Sequence, residues 1–188
     1  MLFEAFHRTH GAPVTYRDAS DEAMARLSQR LPAELVELFR ADGFAVYGGG
    51  LFSTVDDRDV EAARASWLPS FPQISLFGHG AFGELFIWDG GTVQILLPHL
   101  ARVGFVTGSI TGFFEETLTR PTYIEHTLRK EAAANAERLV GPLAWDEMYG
   151  YEPAIALGGS GEPDTIRRYK LVEHHILLSQ LQELEPLL

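Results

Sequence analysis

The stretch AFGELFIWDGGTVQIL (81–96) decides the fold. Two short runs of branched and aromatic residues, Glu84 to Trp88 and Val93 to Leu97, flank Asp89-Gly90-Gly91. An acid followed by two glycines between such runs is hairpin chemistry, because glycine enters the left-handed backbone of a tight turn at no steric cost. Phe82, Phe86 and Trp88 alternate, which puts all three on one face of a strand, where they read as the core of a sheet. Ile74 to Phe77 upstream and Gly104 to Thr107 downstream read as two further strands.

Working outward, the signals turn helical. Ser20 caps a short helix to Arg30, with acids in its first turn. Pro32 fits the first position of a second helix, whose Leu35, Leu38 and Phe39 share a face and which Gly43 stops. Phe44 to Phe52 is a strand broken at Gly48-Gly49-Gly50 by a bulge or turn. Asp56 is expected to cap a helix running to about Trp67. Ser109 caps an amphipathic helix with Phe113, Phe114 and Leu118 inside. Pro121 opens a helical segment to about Leu139, Arg167 to Leu171 fits a last strand, and Glu173 to Leu184 closes the chain as an amphipathic helix. The sum is an α+β protein: a mostly antiparallel sheet flanked by helices, with a small helix-rich C-terminal half packed on it. The expected division is 1–120 and 121–188, and the second part is marginal for a core of its own.

The chain has 188 residues, 46% of them hydrophobic, an ordinary globular composition. It lacks a membrane-length apolar run, and its start, MLFEAFHRTHGAP, is too short and polar for a secretory signal. Cysteine is absent, which removes thiolate metal sites and thiol nucleophiles and suits the cytoplasm. With 26 acids against 15 bases the net charge is −11. Such a surface repels nucleic acid and draws basic proteins, although acidity also serves solubility alone.

The chemistry-bearing residues favour contact over catalysis. GPLAWDEMYGYEPAIALGGSG (141–161) sets Trp145, Tyr149 and Tyr151 among Asp146, Glu147 and Glu152, with no basic residue between Arg138 and Arg167. Large aromatics among uncompensated acids make a contact surface, because Trp and Tyr bury much area at low rotamer cost. The same residues also fit a core strand and turn. Asp56, Asp57 and Asp59 read as a helix cap or as a second acidic patch. Gly158-Gly159-Ser160-Gly161 lacks the lysine of a phosphate loop and reads as an exposed turn. His174 and His175 are neighbours on a helix, about 100° apart, so one is expected inside and one outside, and they do not form a metal pair. Neither a nucleophile elbow nor a paired acid and base stands out.

As a set, LPAELVELFRADGFAVYGGGLF (31–52), AFGELFIWDGGTVQIL (81–96), GPLAWDEMYGYEPAIALGGSG (141–161) and RRYKLVEHHILLSQL (167–181) resemble bacterial proteins in which a GAD-like N-terminal domain precedes the C-terminal domain of type VI secretion immunity proteins, which protect against DNase toxins of the Tde type. The resemblance implies a non-enzymatic, cytoplasmic antitoxin without cofactor or metal. It would bind a basic DNase domain directly, probing neither nucleic acid nor membrane, and a monomer is the expected state. The contact set is then Trp145, Asp146, Glu147, Tyr149, Tyr151 and Glu152, with Asp56, Asp57 and Asp59 beside them. Two other classes remain open: a small-molecule-binding or regulatory α+β module, and a hydrolase holding a metal with His79, His99 and carboxylates.

Overall fold

The hairpin forms as its residues require. The Asp89 amide donates to the Thr92 carbonyl at 3.3 Å, and the Asp89 carboxylate accepts from the Gly91 and Thr92 amides. The structure is a computed structural model that describes residues 2–186. Leu187 and Leu188, the end of the expected second half, lie outside the described residues. In chain order the elements are α1 (Glu4–His10), β1 (Val14–Arg17), α2 (Asp21–Leu27), α3 (Ala33–Asp42), β2 (Phe44–Tyr47), β3 (Phe52–Thr54), α4 (Glu61–Trp67), β4 (Ser75–Gly80), β5 (Leu85–Trp88), β6 (Val93–Leu97), β7 (Arg102–Thr107), α5 (Ile110–Gly112), α6 (Pro121–His126), α7 (Lys130–Val140), β8 (Glu147–Tyr151), β9 (Ile166–Lys170), α8 (Leu171–Leu181) and β10 (Glu185–Pro186).

Strands β1 to β7 lie side by side in sequence order, every neighbour antiparallel, and β10 adds a short parallel edge to β7. Strands β8 and β9 form a separate antiparallel ribbon. Alternation divides the sheet into two covered faces. Phe77, Phe86 and Ile95 join α1, α2, α3 and the segment after β7 in one core, while Leu76, Leu85, Ile87 and Leu96 meet α4 and α8 in another. Phe39, Phe44, Phe52, Phe77, Phe86, Phe113 and Phe114 are all buried. Each such ring contributes roughly 1.5–3 kcal/mol relative to an exposed one. Because both faces are covered, β4 is buried along its whole length.

Several local expectations are met. Ser20 accepts from the Ala23 amide, and Gly43 ends α3. Gly48 to Gly50 turn β2 into β3 with three left-handed residues, a backbone that glycine alone adopts freely. Others are corrected. Pro32 sits one residue before α3, in extended backbone. Asp56 does not cap α4, which starts only at Glu61; its carboxylate accepts from the Arg58 amide and closes a turn. Phe82 leaves the alternation, because Gly83 turns the chain, and it packs on Tyr149 and Tyr151 instead. After α5 the helix widens into a π-turn over Phe113–Thr117. The segment after Pro121 breaks into α6 and α7 at Arg129, which is left-handed. The C-terminal half shares its core with the sheet: Met148, Leu171 and Leu178 pack with Leu76, Leu85 and Leu96.

Candidate partner-binding site

Two stretches far apart in sequence meet at Trp145. Tyr16 of β1 stacks on the indole, with ring centroids 4.6 Å apart and planes 7° from parallel. Arg17, the next residue, puts its guanidinium 6.0 Å from the indole centroid and donates to the Asp59 carboxylate through both terminal nitrogens. The Trp145 carbonyl lies 3.0 Å from Nε2 of the buried His79. The Leu171 amide donates to the Asp146 carbonyl at 2.8 Å, which ties the end of β9 to the same loop. Trp145 is therefore half-buried and held on three sides. Beside it opens a groove of about 410 Å³, bounded by Asp59, Val60, Trp145 and Asp146 on one side and by Lys170 to Glu173 on the other.

The other expected contact residues are distributed differently. Tyr149 and Tyr151, only 3% and 7% exposed, face Phe82, and the Tyr149 hydroxyl donates to the Gly141 carbonyl. Burial pushes the Tyr149 hydroxyl up to about 12. These rings are core, because β8 is covered on both faces, with Met148 in the sheet-side core and the tyrosines against α7. Asp56 and Asp57 are also buried, and Arg26 bridges the two carboxylates while Arg30 adds a second contact to Asp57 at 3.0 Å. They hold α2 to the loop before α4 and present no open acidic patch.

The acids of the ribbon do not lack counter-charge either. Asp146 pairs with Lys170 at 2.8 Å, Glu152 with Arg167 at 3.1 Å, and Glu147 lies 3.7 Å from Arg168. The bases missing from the sequence interval arrive from β9, which the antiparallel register sets opposite: Glu147 faces Lys170 and Tyr149 faces Arg168. The surplus negative charge lies elsewhere. Arg40, Arg120, Lys130 and Arg138 are the basic residues outside ion pairs among those described, whereas exposed Asp18, Asp21, Glu34, Glu37, Asp89, Glu116, Glu125, Glu131, Glu137, Glu162, Asp164, Glu173 and Glu183 have no ion-pair partner among them. The exterior is thus anionic, and at the groove Asp59 pairs with Arg17 and Asp146 with Lys170, which leaves Glu173 without an ion-pair partner.

The two histidines of α8 are interior groups. His174 stacks on Tyr169 at 4.1 Å, and His175 accepts from the Trp67 indole at 2.9 Å, so both lie inside, where one was expected outside. Burial lowers both, to about 4 for His174 and about 3 for His175. Among the described residues no three His, Asp or Glu side chains converge as a metal site would require.

Residues 1–99, more than half of the chain, match the GAD-like domain. The chain belongs to the GAD-like domain family. In this GAD-like protein residues 108–182 further match the T6SS immunity protein Tdi1, C-terminal. The groove lies across the two matches: Asp59 and Val60, with Tyr16 and Arg17 behind the indole, come from the first, and Trp145, Asp146, Lys170 and Glu173 from the second. The fold is also that of a protein titled "Crystal structure of Atu4351 from Agrobacterium tumefaciens", with TM-score 0.78 and 16% identity over 98% of this chain and 91% of that one. No curated protein matches the chain. The family matches point to an immunity function and to a non-enzymatic role. No helix among the described residues is long and apolar enough to cross a membrane.

Neither Tyr16 nor Arg17 was singled out from sequence. VTYR (14–17) is a short edge strand in a polar context, and only the tertiary fold shows that it backs Trp145.

Proposed function

We propose that this GAD-like protein is an immunity protein that neutralises a DNase effector of a type VI secretion system by direct contact. The groove at Trp145 is the centre of that contact. The observation that carries the reading is the held indole: Trp145 stacks on Tyr16 near the unpaired Glu173, on the seam of the two family matches. An aromatic anchor already fixed in place loses little rotamer freedom on binding. A DNase carries a basic groove for the phosphate backbone. Carboxylates can stand where phosphates would, and the anionic exterior speeds the encounter. In this reading residues 1–120 supply most of the sheet, residues 121–188 supply the indole and its acids, and the protein acts as a cytoplasmic monomer.

The test is plasmid cleavage by the nuclease domain of the effector encoded beside this chain. An equimolar amount of the chain is expected to abolish cleavage, and the two should elute together on size exclusion at low salt. Undiminished cleavage with separate elution would refute the proposal.

A further inference from the structure

A second cavity, sharing no residue with the Trp145 groove, lies where β6 ends and α6 gives way to α7. Its volume is about 210 Å³, the space of roughly seven waters. Leu97, Leu100 and Ile155 form apolar walls, and Leu100 and Ile155 stay 59% and 36% exposed at the rim. Glu84, His99 and Arg129 supply the polar lining.

Three features mark it as built. The first is strain. Among the described residues Phe3, Ala101 and Arg129 are the non-glycine ones with left-handed backbone, and two of them belong here: Arg129 lines the cavity and Ala101 ends the turn that walls it. Such conformations persist where the surroundings over-determine them, and they gather at functional sites. The second is a buried imidazole in the wall. His99 is 7% exposed, both its ring nitrogens are shielded from solvent, and the ring meets Tyr151 edge-on at 5.2 Å. Burial, with Arg129 and His174 nearby, lowers it to about 3 against the backbone of Tyr149 and Phe82, so the ring is neutral. The third is a guanidinium with capacity to spare. Arg129 lies 3.6 Å over the Phe82 ring and donates to the Tyr151 hydroxyl at 3.1 Å, while its reach to Glu84 is long at 3.4 Å. Burial raises the Glu84 carboxyl above its ordinary range, while Arg129 draws it back.

We propose that this cleft binds a small organic carboxylate with an apolar body. The forked N–H groups of Arg129 match two carboxylate oxygens, as a lysine would not. The neutral His99 brings no competing charge, and the leucine and isoleucine walls take the hydrocarbon. A cavity of about 210 Å³ accommodates a short hydrocarbon body, for which hexanoate is the probe.

The experiment titrates the full chain, labelled for amide NMR, with hexanoate and with its neutral isostere hexanamide. Hexanoate is expected to shift the amides of residues 97–101 and 126–129 saturably, and hexanamide to bind about tenfold more weakly or not at all. Arg129→Asn removes the fork at a position whose left-handed backbone Asn tolerates, and it should abolish the hexanoate shifts. Should that variant not fold, Leu100→Trp fills the mouth from an exposed position and should block hexanoate with the melting temperature unchanged. No saturable shift with hexanoate, equal affinity for hexanamide, or full binding by Leu100→Trp would each overturn the proposal. None of these results bears on effector inhibition, which rests on the other groove.

Discussion

Asp57 accepts from both Arg26 and Arg30 while nearly withdrawn from water. Breaking such a pair leaves charge uncompensated in a poorly solvated place, which costs more than the pair itself contributes. Asp57→Asn is therefore expected to lower unfolding stability by about 3 kcal/mol in urea titration; a loss under ~1 kcal/mol would mean that solvent screens the pair. Gly83 gives a second test. Its φ is +80°, and a Cβ there would meet Met148 Cε at 2.4 Å. The methionine can yield, but the backbone cannot, so Gly83→Ala should cost about 1–3 kcal/mol even when Met148 is trimmed to Ala. Rescue of Gly83→Ala by the Met148 trim, with no cost left in the double variant, would contradict this. Neither role was legible from residue types. Asp56-Asp57 looks like a helix cap because the local signal for a cap is an acid before a helix. The arginines that claim these acids sit about thirty positions upstream on another element.

At the scale of elements, the hairpin and its neighbouring strands were readable because turn chemistry and alternation are local. The covering of α8 was not. Its His174-His175 pair reads as half-buried on a one-sided helix, yet β9 covers one ring and α4 the other. The ribbon of β8 and β9 was half readable: WDEMYGY fits a core strand as well as a contact loop, and the register with β9 decides that the tyrosines are core and the acids paired. The buried histidines make stability depend on pH in a definite direction. Their folded values, about 4 and about 3, lie below the ordinary 6.5, so the unfolded chain takes up protons that the folded one refuses. Stability is full above pH 6.5 and falls as pH drops from there towards 4, by up to ~1.4 kcal/mol per pH unit for each ring. Glu84, raised by burial, acts in the opposite sense at acid pH. Urea midpoints measured at pH 7.5 and 5 should be clearly lower at pH 5. Equal midpoints would show that the rings titrate normally.

For the molecule as a whole, the net charge was legible, but its placement was not. A charge of −11 says that carboxylates are in excess. Only the fold shows that the acids singled out around Tyr149 pair with β9, and that exposed unpaired acids are spread over α2, α3, α6, α7, α8 and the loop before β9. What remains at the centre is Trp145, framed by Tyr16, Arg17 and Asp59. An anionic exterior predicts association that slows with ionic strength, whereas release is governed by the anchor. Raising salt from low to physiological should thus reduce the on-rate for the effector nuclease several-fold and leave the off-rate nearly unchanged. The most direct measurement is the calorimetric Kd of that complex for the native chain and for Trp145→Ala, with unfolding curves of both chains as the control for folding. The expected result is a weakening of about 2 kcal/mol or more, roughly thirtyfold, with the variant still folded. A folded Trp145→Ala chain that binds the nuclease within about twofold of the native Kd would contradict the assignment of this groove.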